Sequence, residues 1–270
     1  LNSKRSLTMK LVKNIALTSA IAASAVFATH ANAALITDWN FDLISGWTAS
    51  TPASVTQSGV VTGNGVEGFD TLQWGTDALN SSDGWDVADV AGGAGTENIG
   101  ISTGTTDDQS ALFIQNPNIL GSALTLVDIG GGIFSGNALG TRFYHLNNVL
   151  SAGGDPTLQT AALTDFFKLT GNGIEITTNP TFDVLFEETP NNGNCTPSSV
   201  SNCDDIFVLT NPNLLQEQFM HEGYIYTLTI GADGLGALDD ATCAAAGVAS
   251  GCVGLTTEET NNNPVQFFIN

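Results

Sequence analysis

The sequence predicts an all-β fold: an antiparallel β-sandwich or jelly-roll-like single domain, with long Gly-, Asp- and Asn-rich loops and little helix. Three observations carry this. Short runs of β-branched, aromatic and aliphatic residues alternate in polarity with period two. Clusters of Gly, Asn, Asp, Ser and Thr punctuate them at short intervals. No helical pattern recurs between the runs, which excludes an alternating α/β architecture.

In chain order, residues 34–43 place Leu35, Thr37, Trp39, Phe41 and Leu43 on one face of a strand. Residues 55–61 and 69–74 are the next strands. The stretch 77–108 has few core residues besides Trp85 and Ile99 and reads as a long irregular loop. Strands resume at 110–114, 123–129 and 141–146. Residues 158–169 put Ala161, Leu163, Phe167 and Leu169 on one face, and Phe182, Val184 and Phe186 alternate with Asp183, Leu185 and Glu187. A strand at 205–209 follows. Residues 222–230 show the cleanest alternation, with Tyr224, Tyr226, Leu228 and Ile230 on one side. Residues 265–269 form the last strand. Short helices are expected at 212–219 and 240–246.

Charge divides the chain. Four of its six basic residues, Lys4, Arg5, Lys10 and Lys13, lie in the first thirteen positions, and all 27 acidic residues come later. An apolar stretch from 15 to 27 and Ala31-Asn32-Ala33 follow the basic cluster, so 1–33 reads as a secretory signal peptide, with Met9 as its expected true start. The apolar stretch is shorter than the roughly 20 residues of a membrane span, and no second run of that length follows. Residues 34–270 are expected as one soluble acidic domain. Only Arg142 and Lys168 accompany the acids there. That balance argues against nucleic acid and anionic lipid as partners and favours solubility and attraction of cations.

The four cysteines fall in two close pairs, Cys195 with Cys203 and Cys243 with Cys252. An even count in an exported chain points to disulfides, and proximity favours pairing within each pair. Zinc ligation lacks the C-x₂₋₄-C spacing.

Catalytic motifs fail in context. Gly63 to Gly68 matches G-x-G-x-x-G but runs from a turn into a strand, not a helix. Gly100 to Gly104 matches G-x-S-x-G without a following helix. His221-Glu222 does not continue as H-E-x-x-H. Glu187-Glu188 and Glu258-Glu259 are adjacent pairs, so strand geometry sends one of each away from the other, and surface positions are expected. No catalytic residue and no certain cofactor is assigned. Ca²⁺ is the one ion the composition suggests, with Asp107-Asp108, Asp204-Asp205 and Asp239-Asp240 as candidate ligands at no fixed address. In 142–148, His145 and Asn147 share a face at a strand end.

Several stretches together resemble the THxN family of bacterial secreted proteins of the PEP-CTERM type. Trp74-Gly75-Thr76, Gln109-Ser110-Ala111-Leu112, Tyr144-His145-Leu146-Asn147, the run 186–208 and the close with Cys243, Cys252, Thr257 and Glu258 carry the resemblance. Tyr144 stands where the family motif has threonine, and the sorting tail is expected to be absent. The resemblance implies a protein secreted outside a bacterial cell or associated with its surface, with no enzymatic activity to carry over.

The functional expectation is a non-enzymatic extracellular structural protein, a biofilm-matrix or surface-fibre subunit that self-associates by strand pairing. Leu35, Ile36, Trp39, Phe41 and Leu43 form the expected donor strand. The alternative is a carbohydrate- or calcium-binding surface module, with Trp47, Trp85 or Tyr144 stacking on the sugar rings of a polysaccharide.

Overall fold

The computed structural model describes residues 34–76, 108–116, 121–147, 150, 157–189, 203–259 and 261–270, all within one compact unit, Ala34–Asn270. The expected signal peptide, the G-x-S-x-G stretch, Trp85, Asp107 and Cys195 lie outside the described residues.

The fold is all-β. The strands are β1 (Asp38–Thr51), β2 (Thr56–Gly63), β3 (Val66–Thr76), β4 (Asp108–Gln115), β5 (Ser122–Thr125), β6 (Val127–Gly130), β7 (Ile133–Ser135), β8 (Ala138–Asn147) and β9 (Thr160–Gly171). There follow β10 (Ile174–Thr178), β11 (Thr181–Glu187), β12 (Asp205–Leu209), β13 (Gln216–His221), β14 (Tyr224–Ala232), β15 (Gly236–Ala237), β16 (Val253–Thr257) and β17 (Asn261–Ile269). A 3₁₀ turn (Pro212–Leu215) and one α-helix, α1 (Asp240–Ala245), complete the described elements.

Fifteen strands form one antiparallel sheet in the order β13-β14-β17-β8-β4-β3-β1-β9-β11-β12-β16-β15, with β10, β2 and β5 pairing β9, β3 and β1. The sheet curls so that its two halves face each other. The larger core cluster joins Leu72, Trp74, Leu112 and Phe143 of one half to Leu163, Phe186, Phe207 and Leu255 of the other. A second cluster gathers Trp39, Phe41, Leu43, Phe167 and Leu228.

Local chemistry sets the turns. Asn64-Gly65 joins β2 to β3 with φ of 48° and 79°, and Asn172-Gly173 joins β9 to β10 with φ of 46° and 81°. These are two-residue hairpins, whose backbone matches the strand twist. The G-x-G-x-x-G match is therefore a hairpin turn. Gly254 serves a different need: a Cβ there would sit 2.0 Å from the Phe207 carbonyl oxygen, so β16 can lie against β12 only with glycine at this point.

Two expectations are corrected. Residues 216–219 are strand, not helix, because β13 pairs with β14 from Gln216↔Thr229 to His221↔Tyr224, and Phe219 stacks on Tyr226 at 5.0 Å. The segment expected as a free donor strand is built into its own sheet: β1 pairs with β9 from Asn40 to Thr51 and with β5 from Asp38 to Phe41 on its other edge. Ile36, Trp39, Phe41 and Leu43 are buried, and Leu35 packs half-buried against the same cluster. Donating this segment would mean opening that core.

Candidate metal centre

The segment 144–147 crosses the sheet with alternating faces. Tyr144 points outward, stacks on Phe113 at 6.3 Å, donates its hydroxyl to Gln115 Oε1 at 3.1 Å and accepts from Arg142 Nη1 at 3.4 Å. His145 and Asn147 point inward and are 0 % exposed.

His145 sits in an aromatic cage drawn from both halves of the sheet. Trp74 of β3 stacks on it at 5.6 Å, and the rings of Phe186 of β11 and Phe207 of β12 meet it edge-on at 5.5 and 5.1 Å. Burial lowers its pKa from 6.5 to about 3, so the imidazole is neutral. Nδ1 shares a 2.8 Å hydrogen bond with Thr257 Oγ1 at the end of β16. Asn147 Nδ2 donates to the Glu258 carbonyl at 3.4 Å. His145 and Asn147 thus tie the end of β8 to the segment that leads from β16 into β17. Asn263 closes the same corner, accepting from Glu258 N–H at 2.9 Å and donating to the Glu258 carbonyl at 2.8 Å.

Three carboxylates meet beside this corner. Glu188 follows β11, Asp205 opens β12, and Glu259 lies between β16 and β17. One oxygen from each lies within 4.8 Å of the other two. Thr189 fixes the approach: its N–H donates to Asp205 Oδ1 at 2.9 Å, and its hydroxyl donates to the carbonyls of Cys203 and Asp204 at 2.5 and 3.1 Å. Trp74 Nε1 donates to Glu188 Oε2 at 3.4 Å. Asp205 is 0 % and Glu259 7 % exposed. Two buried oxygens here, Asp205 Oδ2 and Asn147 Oδ1, have no hydrogen-bond partner among the described residues.

The electrostatics are severe. Burial raises the Glu188 pKa from 4.5 to about 8, helped by the charge on Glu259 and opposed by the Trp74 N–H. Burial also raises Asp205 well above its usual range, with the charges of Glu188 and Glu259 next, while the Thr189 N–H and the Asn147 side chain pull it down. Two carboxylates about 4 Å apart repel by about 4 kcal/mol at an effective dielectric of 20. Neither of the two basic side chains among the described residues relieves this. Arg142 donates to Gln266, and Lys168 pairs with Asp42 at 3.2 Å and Glu175 at 3.7 Å. With no basic side chain beside it among the described residues, the centre is suited to holding protons or a cation. Its donors are oxygens, which suit a hard cation. Two oxygens on opposite sides of a Ca²⁺ at about 2.4 Å are about 4.8 Å apart.

The sequence brought Asp205 forward as a calcium candidate and left Glu188 and Glu259 at the surface. The structure corrects the second reading. Both lie just past strand ends, where alternation no longer governs direction. Asp239 has another role: it caps α1, accepting from Thr242 N–H at 2.8 Å and from the Thr242 hydroxyl at 3.1 Å, and these bonds lower its pKa. Trp47 is 2 % exposed, so it offers no sugar platform. Cys243 and Cys252 form a disulfide just before β16. Cys203 is also disulfide-bonded, two residues before Asp205. No family model and no curated protein matches the chain.

Proposed function

We propose that this is a non-enzymatic, exported structural module whose curled sheet is locked by a divalent cation, Ca²⁺ by preference, held between Glu188, Asp205 and Glu259. The carrying observation is a buried three-carboxylate centre in a domain whose only two basic side chains are engaged elsewhere. Asn147 Oδ1 offers a fourth oxygen. The centre joins the ends of β11 and β12 to the β16–β17 segment, which is in turn pinned to β8. An ion there would hold both halves of the sheet together. Mg²⁺ fits less well, because it retains several waters and demands strict octahedral geometry. The burial of Asp205 and Glu259 favours a structural role over catalysis.

The expected export and the THxN resemblance support the same reading. Millimolar calcium outside a cell matches the weak sites typical of extracellular modules. A role in a biofilm matrix, with polysaccharide or further copies as partners, belongs to this proposal. Self-association by strand pairing is favoured at β13, which ends the sheet order with one edge unpaired among the described strands. Gln218→Pro on that edge should abolish fibres seen by electron microscopy without lowering the melting temperature of the monomer by more than a few degrees.

The direct test is melting in EDTA followed by calcium titration. An ion that binds only the folded state adds about 2.7 kcal/mol at a hundred times its Kd, or about 5–10 °C for a chain of this size. The rise should be saturable, smaller with Mg²⁺, and absent in Asp205→Asn. A melting temperature indifferent to EDTA and to calcium would overturn the proposal.

A further inference from the structure

A second feature lies against the core cluster of Trp39, Phe41, Leu43, Phe167 and Leu228. Among the described residues, nine large apolar side chains are exposed, and six of them, Val127, Ile129, Ile133, Met220, Tyr224 and Ile225, sit on two hairpins, β6–β7 and β13–β14. The β6–β7 ribbon is not paired to the main sheet. Its turn, Gly130 to Gly132, has φ of 103°, 68° and 77° with nothing near the Cβ positions. Between the hairpins opens a pocket of about 440 Å³, within the size range of small-molecule sites. Its walls include Ile133, Phe134, Phe219 and Ile225, and its floor is Trp39, Leu124 and Leu228. The polar side chains on the lining are neutral: Ser135, Tyr224, Tyr226, Thr227, Thr229 and Asn270.

We infer that this pocket binds an uncharged aliphatic chain. Concentrated exposed apolar surface on an otherwise acidic protein marks a binding site rather than chance exposure. Charge selects the class of ligand. The hairpins carry the exposed acids Asp128, Glu217 and Glu222 and no Lys or Arg. None of these acids lines the pocket, but the negative field of the hairpins that carry them disfavours a carboxylate- or phosphate-headed amphiphile, whereas an alcohol or ester headgroup can bond to the hydroxyls and to Asn270. Each methylene added to a chain that still fits should strengthen binding about fourfold.

The test uses the neutral dye N-phenyl-1-naphthylamine and its displacement from the purified protein. Saturable one-to-one uptake is expected, with displacement by 1-dodecanol. Dodecanoate should compete at least ten times more weakly at low salt, with the gap narrowing as salt screens the rim. Ile133→Asp and Ile225→Asp change exposed positions, so folding should survive, and each should weaken dodecanol binding at least tenfold. Val60→Asp, exposed on β2, should leave it unchanged. Absence of saturable uptake would overturn the inference. Equal competition by dodecanoate at low salt would overturn the charge selection. Sedimentation showing that wild type is a dimer, which the two hairpin variants disperse, would mean that a second copy covers the patch instead.

Discussion

Replacing Glu188 by Gln separates a cation site from a merely crowded set of carboxylates, because its effect should change sign with calcium. The shape is retained, and the Gln oxygen can still accept the Trp74 N–H. In wild type the Glu188 pKa is raised from 4.5 to about 8. A carboxylate raised in this way binds more protons folded than unfolded, so metal-free stability falls as pH rises from about 4.5 to about 8, and below 4.5 it makes no difference. At about pH 7.5 the separation is about three pH units, worth about 4 kcal/mol if the group were fully buried. Glu188 is only partly shielded, which brings the figure to about 2–4 kcal/mol. In EDTA at that pH, Glu188→Gln should therefore be more stable than wild type by that amount, about 10 °C in melting temperature. In millimolar calcium the order should reverse, because wild type gains the ion and the variant lacks one anionic ligand. Calorimetry between about pH 5 and 8, with EDTA and with calcium, reads both effects. The reasoning is refuted if the variant is less stable than wild type in EDTA at pH 7.5, or if calcium stabilises both equally.

Three other outcomes follow from the core. Asp165 is buried, accepts from Ser45 Oγ at 2.5 Å, and has its pKa raised by burial to about 6. Asp165→Asn should remove a stability loss of about 3 kcal/mol that wild type shows as pH rises from about 4 to 6, read from urea midpoints at fixed pH. Thr257→Val deprives His145 Nδ1 of its partner in a fully buried cage and should cost about 1–3 kcal/mol by the same assay. Gly254→Ala forces β16 away from the Phe207 carbonyl and should cost more than about 2 kcal/mol, with lost amide protection in β12 and β16.

Period-two patterning made most of the strands legible, since Trp39, Phe41 and Leu43, and Tyr226, Leu228 and Ile230, are buried as their alternation requires. Its limits are equally physical. Gln216 to Phe219 follows a proline-led turn and carries a helix-compatible composition, but pairing with β14 and the Phe219–Tyr226 stack decide for strand. The donor-strand reading failed on β1 because both its edges are used by β9 and β5, a tertiary fact that no local pattern carries. At the site, the alternation of 144–147 correctly put His145 and Asn147 on one face. The convergence of Glu188, Asp205 and Glu259 was not legible, since they approach through the curl of the sheet from distant positions in sequence. The readable clue was the scarcity of Lys and Arg, which leaves few protein counter-charges for a buried acid.

Terbium luminescence excited through tryptophan reads cation binding at the three carboxylates most directly. Tb³⁺ takes oxygen ligands as Ca²⁺ does, and the Trp74 indole nitrogen lies 3.4 Å from a Glu188 oxygen. A cation held by the three carboxylates should give saturable sensitised emission that calcium displaces, that Trp74→Phe largely removes, and that Asp205→Asn abolishes. Emission that calcium does not displace, or that persists unchanged in Asp205→Asn, would contradict it.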